Sequence, residues 1–313
     1  MRRAGTRKSK ARSFAPRWPA PRSPMGEKST YHPSMRLIRG RRLTLATTTV
    51  AVACFLAAVA QAHAAAPHAS PAAPTTAPTE GVLSAGGQQQ WISCTGTGRP
   101  TVVISSGLGA SHSMWSKVLP PLRAMSRVCI SDRPGLGSSP ARIGSKTTDA
   151  GQHAQELRAL LAAAGESGPF VLVGHSYAGL IVRAFAAQAP ADVAGVLLID
   201  ACWPGIHRNF LPSYKSPWHE GGTVIDMAAS EQADQGGPQL GRTPLIVLAA
   251  GDPAKATSPG DKAWYDHQAQ SAQLSSAGSL RFATRSGHVI QRDQPAKVIV
   301  AVRDLLTTIR ATT

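Results

Sequence analysis

Acidic residues are scarce in this chain of 313: 17 Asp and Glu stand against 33 Lys and Arg, a formal net charge of +16. Such an imbalance would suit a nucleic-acid binder, but its distribution excludes that class. Residues 1–64 hold 13 of the basic residues and one acidic residue, so residues 65–313 carry only +4 and form no basic stripe. Histidine pairs at the spacing of a zinc site are absent, as is a glycine-rich loop carrying the lysine of a nucleotide-binding loop. No metal, nucleotide or other cofactor is expected. No internal repeat is present, and one folded domain accounts for the remainder.

The N-terminal charge has an explanation in export. Met35-Arg36-Leu37-Ile38-Arg39-Gly40-Arg41-Arg42 is a basic segment, Leu43 to Val59 is uncharged and apolar, and Ala62-His63-Ala64 offers a small-residue cleavage site. Processing after Ala64 is expected. The 34 residues before Met35 are rich in Arg, Pro and Ser and read as a disordered leader or a mistaken start codon, with Met35 the alternative start. An uncleaved anchor over 43–60 is the rival reading, weakened by its many Ala and Thr. Arg41-Arg42 matches a twin-arginine signal loosely, and Cys54 matches a lipoprotein site only distantly. Residues 65–80, full of Ala, Pro and Thr, read as a flexible linker before a domain over 81–313.

Within that domain the densest signal is Gly174-His175-Ser176-Tyr177-Ala178-Gly179. It follows the apolar run Phe170-Val171-Leu172-Val173 and precedes the helix-like Leu180-Ile181-Val182-Arg183-Ala184-Phe185. A strand, a tight turn of small residues around one serine, and a helix make the context of a nucleophile elbow. The turn demands small neighbours, which Gly174 and Ala178 supply. A serine hydroxyl needs a base to take its proton and a third group to orient that base. His288, in Ser286-Gly287-His288 after the strand-like run 280–284, is the candidate base. Asp200, closing Val196-Leu197-Leu198-Ile199, is the first candidate acid, and Asp252, after the run 245–251, is the second. His175 reads as packing or as a hydrogen-bonding neighbour, since its side chain points away across the turn. Asp132 and Arg133 read as braces of their own loop.

Four stretches in order resemble the α/β-hydrolase fold from roughly residue 81 to the C-terminus. They are Thr101 to Gly109, Asp132-Arg133-Pro134-Gly135-Leu136-Gly137-Ser138-Ser139, the elbow, and Ser286-Gly287-His288. The chain is similar, more narrowly, to exported actinobacterial serine hydrolases of that fold. The resemblance implies a mostly parallel eight-stranded sheet with helices on both faces. Independently, apolar runs near 101–105, 127–131, 170–173, 195–199, 244–249 and 280–284 alternate with helix-like stretches near 114–125, 149–164, 179–189, 262–277 and 295–310. That alternation calls for a parallel sheet with its site at the carboxyl ends of the strands.

The resemblance also implies an oxyanion hole made by the Tyr177 and Leu108 N–H groups, with Ser106-Gly107 where relatives often carry His-Gly. Many relatives place the acid three residues after a glycine at the end of the seventh strand. Here that position is Ala254, which puts Asp200, after the sixth strand, ahead of Asp252. The second and fourth strands of the fold lie side by side and carry Cys94 and Cys129, so a Cys94–Cys129 disulfide is expected, with Cys202 unpaired and buried. A small cap is expected over about 201–242, where Trp203, Phe210, Tyr214 and Trp218 cluster and favour a substrate with an apolar acyl or alkyl group. The expected activity is hydrolysis of a carboxylic ester, an amide or a thioester through an acyl-enzyme, with no stable membrane span after processing. The alternative is a ligand-binding or sensing protein on the same fold.

Overall fold

The computed structural model describes residues 77–206, 218–233 and 240–312. The leader, residues 65–76 of the expected linker, and Phe210 and Tyr214 lie outside the described residues.

Eight strands form one sheet: β1 (Thr79–Ala85), β2 (Gln88–Thr95), β3 (Val102–Ser105), β4 (Val128–Ser131), β6 (Phe170–His175), β7 (Val193–Ile199), β10 (Leu245–Ala250) and β11 (Gly278–Ala283). Their order is β1-β2-β4-β3-β6-β7-β10-β11, with β2 antiparallel to both neighbours and every pair from β4 to β11 parallel. The central strands β3 and β6 are buried at every residue, as a parallel sheet covered on both faces requires. One face packs under α2 (Ala150–Ala163) and α3 (Ala178–Gln188), the other under α1 (Leu119–Arg123) and the C-terminal helix α6 (Pro295–Arg310). This is the expected α/β-hydrolase architecture.

Two boundaries differ from the sequence reading. β1 begins at Thr79, inside the segment read as linker, because Thr79 and Glu80 already pair with Cys94 and Ser93 across the hairpin. The helix expected over 262–277 is α5 (Pro259–Ala272): Ser258 and Asp261 form a capping box that fixes its start ahead of the apolar positions.

The segment between β7 and β10 contributes a second, small sheet. There β8 (Trp218–Glu220) pairs antiparallel with β9 (Thr223–Ile225), which runs parallel to β5 (Thr147–Thr148). The short helix α4 (Met227–Gln232) follows, capped by Asp226. Cys94 and Cys129, directly opposite each other on β2 and β4, form the expected disulfide, and Cys202 is free and buried. No helix of the described residues is long and apolar enough to cross a membrane.

Candidate active site

Ser176 sits in the turn from β6 into α3 with φ +54°, a left-handed conformation unusual for a residue with a side chain. Its N–H donates to the Ile199 carbonyl (3.1 Å), and its own carbonyl accepts the N–H groups of Gly179 and Cys202 (2.9 Å each). The turn is possible only with small neighbours. A Cβ on Gly174 would lie 2.6 Å from the Ala178 carbonyl oxygen, and one on Gly179 would lie 2.5 Å from the Ala201 Cβ.

Asp200 ends β7 in a second left-handed turn, φ +40°, its N–H donating to the Leu248 carbonyl at 2.8 Å. Its Oδ1 accepts the Ala250 N–H (2.9 Å) and the Trp264 indole Nε1–H (3.0 Å), leaving Oδ2 for His288 Nδ1 at 2.7 Å. The other ring nitrogen, Nε2, meets Ser176 Oγ at 2.9 Å. Asp252 is turned to local work instead: it accepts the Ala254 N–H and lies 3.6 Å from the Lys255 ammonium. The structure therefore brings Ser176, His288 and Asp200 into one hydrogen-bonded series and leaves Asp252 outside it. A carboxylate beside Nδ1 keeps the proton on that nitrogen, so Nε2 faces the serine hydroxyl as an acceptor.

His175 packs behind this series, its ring 4.8 Å from that of His288 and its Nε2–H donating to the His288 carbonyl at 2.9 Å. Burial, reinforced by His288, pushes its pKa down to about 4 and keeps it neutral. The loop Ser106–Gly109 lies against the same turn: a Cβ on Gly107 would sit 2.8 Å from His175 Nδ1 and 3.2 Å from Ser176 Cβ. The backbone N–H groups of Leu108 and Tyr177 donate to no acceptor within the described chain. Cys202 adjoins Ser176, its backbone N–H donating to the Ser176 carbonyl at 2.9 Å. Burial pushes its thiol up to about 12, so it stays protonated.

Asp132 and Arg133 both brace, but with different partners. Asp132 accepts the N–H groups of Ser138 and His112 and the His112 ring. Arg133 reaches away to Glu220 on β8 and to the carbonyls of Ser106 and Gly107. Trp264 and Glu220 escaped the sequence reading, because each lies more than 60 residues from its partner and carries no motif of its own. Among the described residues one His/Cys/Asp/Glu group is tight enough for an ion, namely Cys94, Cys129 and Glu166. Two of its members are the disulfide, and Glu166 pairs with Arg127 at 2.6 Å.

Comparison with known proteins agrees with this architecture. Residues 100–236 match the family model described as the alpha/beta hydrolase fold. The protein YqjL of Bacillus subtilis, itself uncharacterized, is 27% identical over 217 residues, covering 67% of this chain and 85% of that one. The Escherichia coli O7:K1 protein named "Putative carbamate hydrolase RutD" is 29% identical over 210 residues, covering 66% of this chain and 74% of its own. Among solved structures, the haloalkane dehalogenase DbeA of Bradyrhizobium elkani superposes with a TM-score of 0.58 at 16% identity, over 76% of this chain and all of that one, a likeness of fold alone. Strand order, the order of the motifs and the family match converge, and this chain has the α/β-hydrolase fold.

Proposed function

We propose that this protein is an exported serine hydrolase that cleaves a carboxylic ester, or a related acyl bond such as an amide or thioester, through an acyl-enzyme. The observation that carries the reading is the hydrogen-bonded series from Asp200 through His288 to Ser176. Ser176 Oγ attacks the carbonyl carbon while His288 Nε2 takes its proton. Asp200 holds the imidazole in the required tautomer and stabilises the cation that forms. The carbonyl oxygen gains negative charge and is bound by the free N–H groups of Leu108 and Tyr177. His288 then protonates the leaving oxygen, nitrogen or sulfur as its bond to carbon breaks. Water, deprotonated by His288, adds to the acyl carbon, and Ser176 leaves with the proton returned. The relative named "Putative carbamate hydrolase RutD" supports this class and adds carbamates to the substrates worth screening. A serine nucleophile disfavours halide and epoxide opening, which need a carboxylate to form an alkyl-enzyme. The N-terminal segment 35–64 and the Cys94–Cys129 disulfide support export into an oxidising compartment.

The test is labelling by a fluorophosphonate, which loses fluoride to an activated serine, with the modified peptide mapped and Ser176→Ala run alongside. Labelling at Ser176 that vanishes in a folded Ser176→Ala variant is the expected result. Folded, unlabelled protein that binds esters and leaves them intact would replace the hydrolase reading with that of a ligand-binding protein.

A further inference from the structure

Arg133 is nearly sealed from solvent, and four of its contacts lie in its guanidinium fork. Nε donates to Glu220 Oε1 (2.6 Å), Nη2 to Glu220 Oε2 (2.6 Å) and the Gly107 carbonyl (2.7 Å), and Nη1 to the Ser106 carbonyl (2.6 Å). Glu220 completes the array by accepting the Gly109 N–H through Oε2 at 3.0 Å. One ion pair, reaching in from β8, thus grips the loop Ser106–Gly109 on both sides of Leu108. The Gly107–Leu108 peptide is trans, so its carbonyl and its N–H point in opposite directions. With the Gly107 carbonyl held by Arg133 and by the Ala110 N–H (3.2 Å), the Leu108 N–H is turned the other way and makes no bond among the described residues. Flipping that peptide would break a charge-assisted hydrogen bond and strand a buried carbonyl.

We infer that Arg133 and Glu220 are positioning residues of the reaction: by fixing the Gly107–Leu108 peptide they preset the Leu108 N–H toward the oxyanion. The inference rests on the hydrolase reading and extends its machinery from Arg133, in one of the sequence motifs, to Glu220 on β8, outside them. Neither residue touches the reacting atoms. Their effect passes through one backbone N–H, and it is felt only when the carbonyl oxygen carries charge. A lysine at 133 supplies donors from a single atom and cannot match the planar set of four acceptors. The turn Gly221-Gly222 packs on Pro134 and Gly135 so closely that a Cβ on Gly221 would lie 2.7 Å from the Pro134 carbonyl oxygen. This second contact, independent of the charge at 220, is the one expected to keep β8 in place in Glu220→Gln.

The experiment compares the unmodified protein with Glu220→Gln and Arg133→Lys. Its readouts are kcat and KM on a short-chain p-nitrophenyl ester, the affinity of a boronic acid that forms a tetrahedral anion on Ser176, and the affinity of an ether of the same chain length that lacks a carbonyl. Removing one oxyanion donor costs about 10²- to 10³-fold in kcat, so a loss of aim should lower kcat by roughly 10²-fold. Boronate affinity should fall by a similar factor while KM and ether binding hold. A merely structural role would lower the folded fraction and leave boronate affinity per active site intact, and that result overturns the inference. Unchanged kcat in folded variants does the same. Should neither variant fold, NMR of the unmodified protein decides. The Leu108 amide proton must move downfield as the boronate forms while the Gly109 amide stays protected from exchange, and failure of either overturns the inference. An unmodified protein that neither turns over esters nor labels overturns this inference and the hydrolase reading together; an active one with unaffected variants overturns this inference alone.

Discussion

Replacing Asp200 by asparagine has an outcome that the local geometry dictates. Oδ1 accepts two donors, the Ala250 N–H and the Trp264 indole N–H, whereas Oδ2 meets His288 Nδ1 alone. An amide NH2 at the Oδ1 position would set donor against donors, so the amide oxygen must go there and the NH2 must face His288. Nδ1 then becomes the acceptor, the ring proton moves to Nε2, and the proton confronts the Ser176 hydroxyl that Nε2 should deprotonate. The base is held in the wrong tautomer with its position unchanged. The same change in a serine protease lowers kcat about 10⁴-fold, equivalent to about 5 kcal/mol of transition-state stabilisation, and a loss of that order is expected here. Asp252→Asn is the control. Its side chain caps the Ala254 N–H and sits beside the exposed Lys255, and asparagine caps as well as aspartate, so activity should stay within about twofold. The assay is initial-rate hydrolysis of an activated ester, normalised by active-site titration. A loss under tenfold at Asp200→Asn, or a comparable loss at Asp252→Asn, would refute the tautomer argument.

The other expectations concern stability and the support of Asp200. Replacing Cys94 and Cys129 by alanine removes a crosslink over 35 residues, worth about 4 kcal/mol in the chain-entropy account, and should lower Tm by roughly 8–16 °C; an unchanged Tm, with both native thiols alkylatable, would contradict it. His153 and His175 are buried and neutral, pushed down to about 3 and about 4, in each case chiefly by burial and then by Arg133 and His288 respectively. Because these values lie below the unfolded value of 6.5, the unfolded chain takes up protons first. Stability is full above pH 6.5 and falls toward pH 4, by up to about 1.4 kcal/mol per pH unit for each histidine. His153→Gln should remove about half of that slope in urea midpoints measured between pH 7 and 5, and a flat pH dependence in the parent would defeat the argument. Trp264→Phe removes one of two donors to Asp200 Oδ1 and should cost about tenfold in kcat, with Tm as the control for folding; unchanged kcat would deny Trp264 any part in holding the acid.

Much of this fold was legible because a parallel sheet is written in contiguous runs. Val102 to Ser105, Phe170 to Val173 and Leu245 to Ala249 are buried on both faces and need no distant information to be read as strands. β1 was clipped because its exposed and half-buried residues alternate, and Thr79-Glu80 looks like linker until its register with Cys94 and Ser93 is known. That Ser176 and His288 meet was legible from motif order. Asp200 and Asp252 were harder to separate, since each follows an apolar strand. What separates them is long-range pairing: β7 and β10 are neighbours, and Asp200 is turned across that pair by its bond to Leu248 while Asp252 caps its own turn. The Arg133–Glu220 pair, 87 residues apart in sequence, and the Trp264 contact, 64 apart, exist only once the chain has folded.

Among the described residues, two with side chains have a left-handed backbone, Ser176 and Asp200. Each costs on the order of 1–3 kcal/mol and persists only where surrounding bonds leave no alternative. Those bonds run between the two turns. The Ser176 N–H donates to Ile199, the residue before Asp200, and the Ser176 carbonyl accepts from Cys202, two residues after it. The spacing of Ser176 and Asp200 is therefore set by backbone hydrogen bonds between the turns that end neighbouring strands β6 and β7, and His288 is not needed to hold it. His288 arrives on a loop after β11, with its side chain 42% exposed against 5% for Asp200. In the proposed reaction Ser176 and Asp200 can stay fixed while the imidazole swings slightly between the serine oxygen and the leaving group. In that proposed reaction the left-handed backbones of Ser176 and Asp200 belong to the two groups that stay fixed, and the more exposed His288 carries the proton.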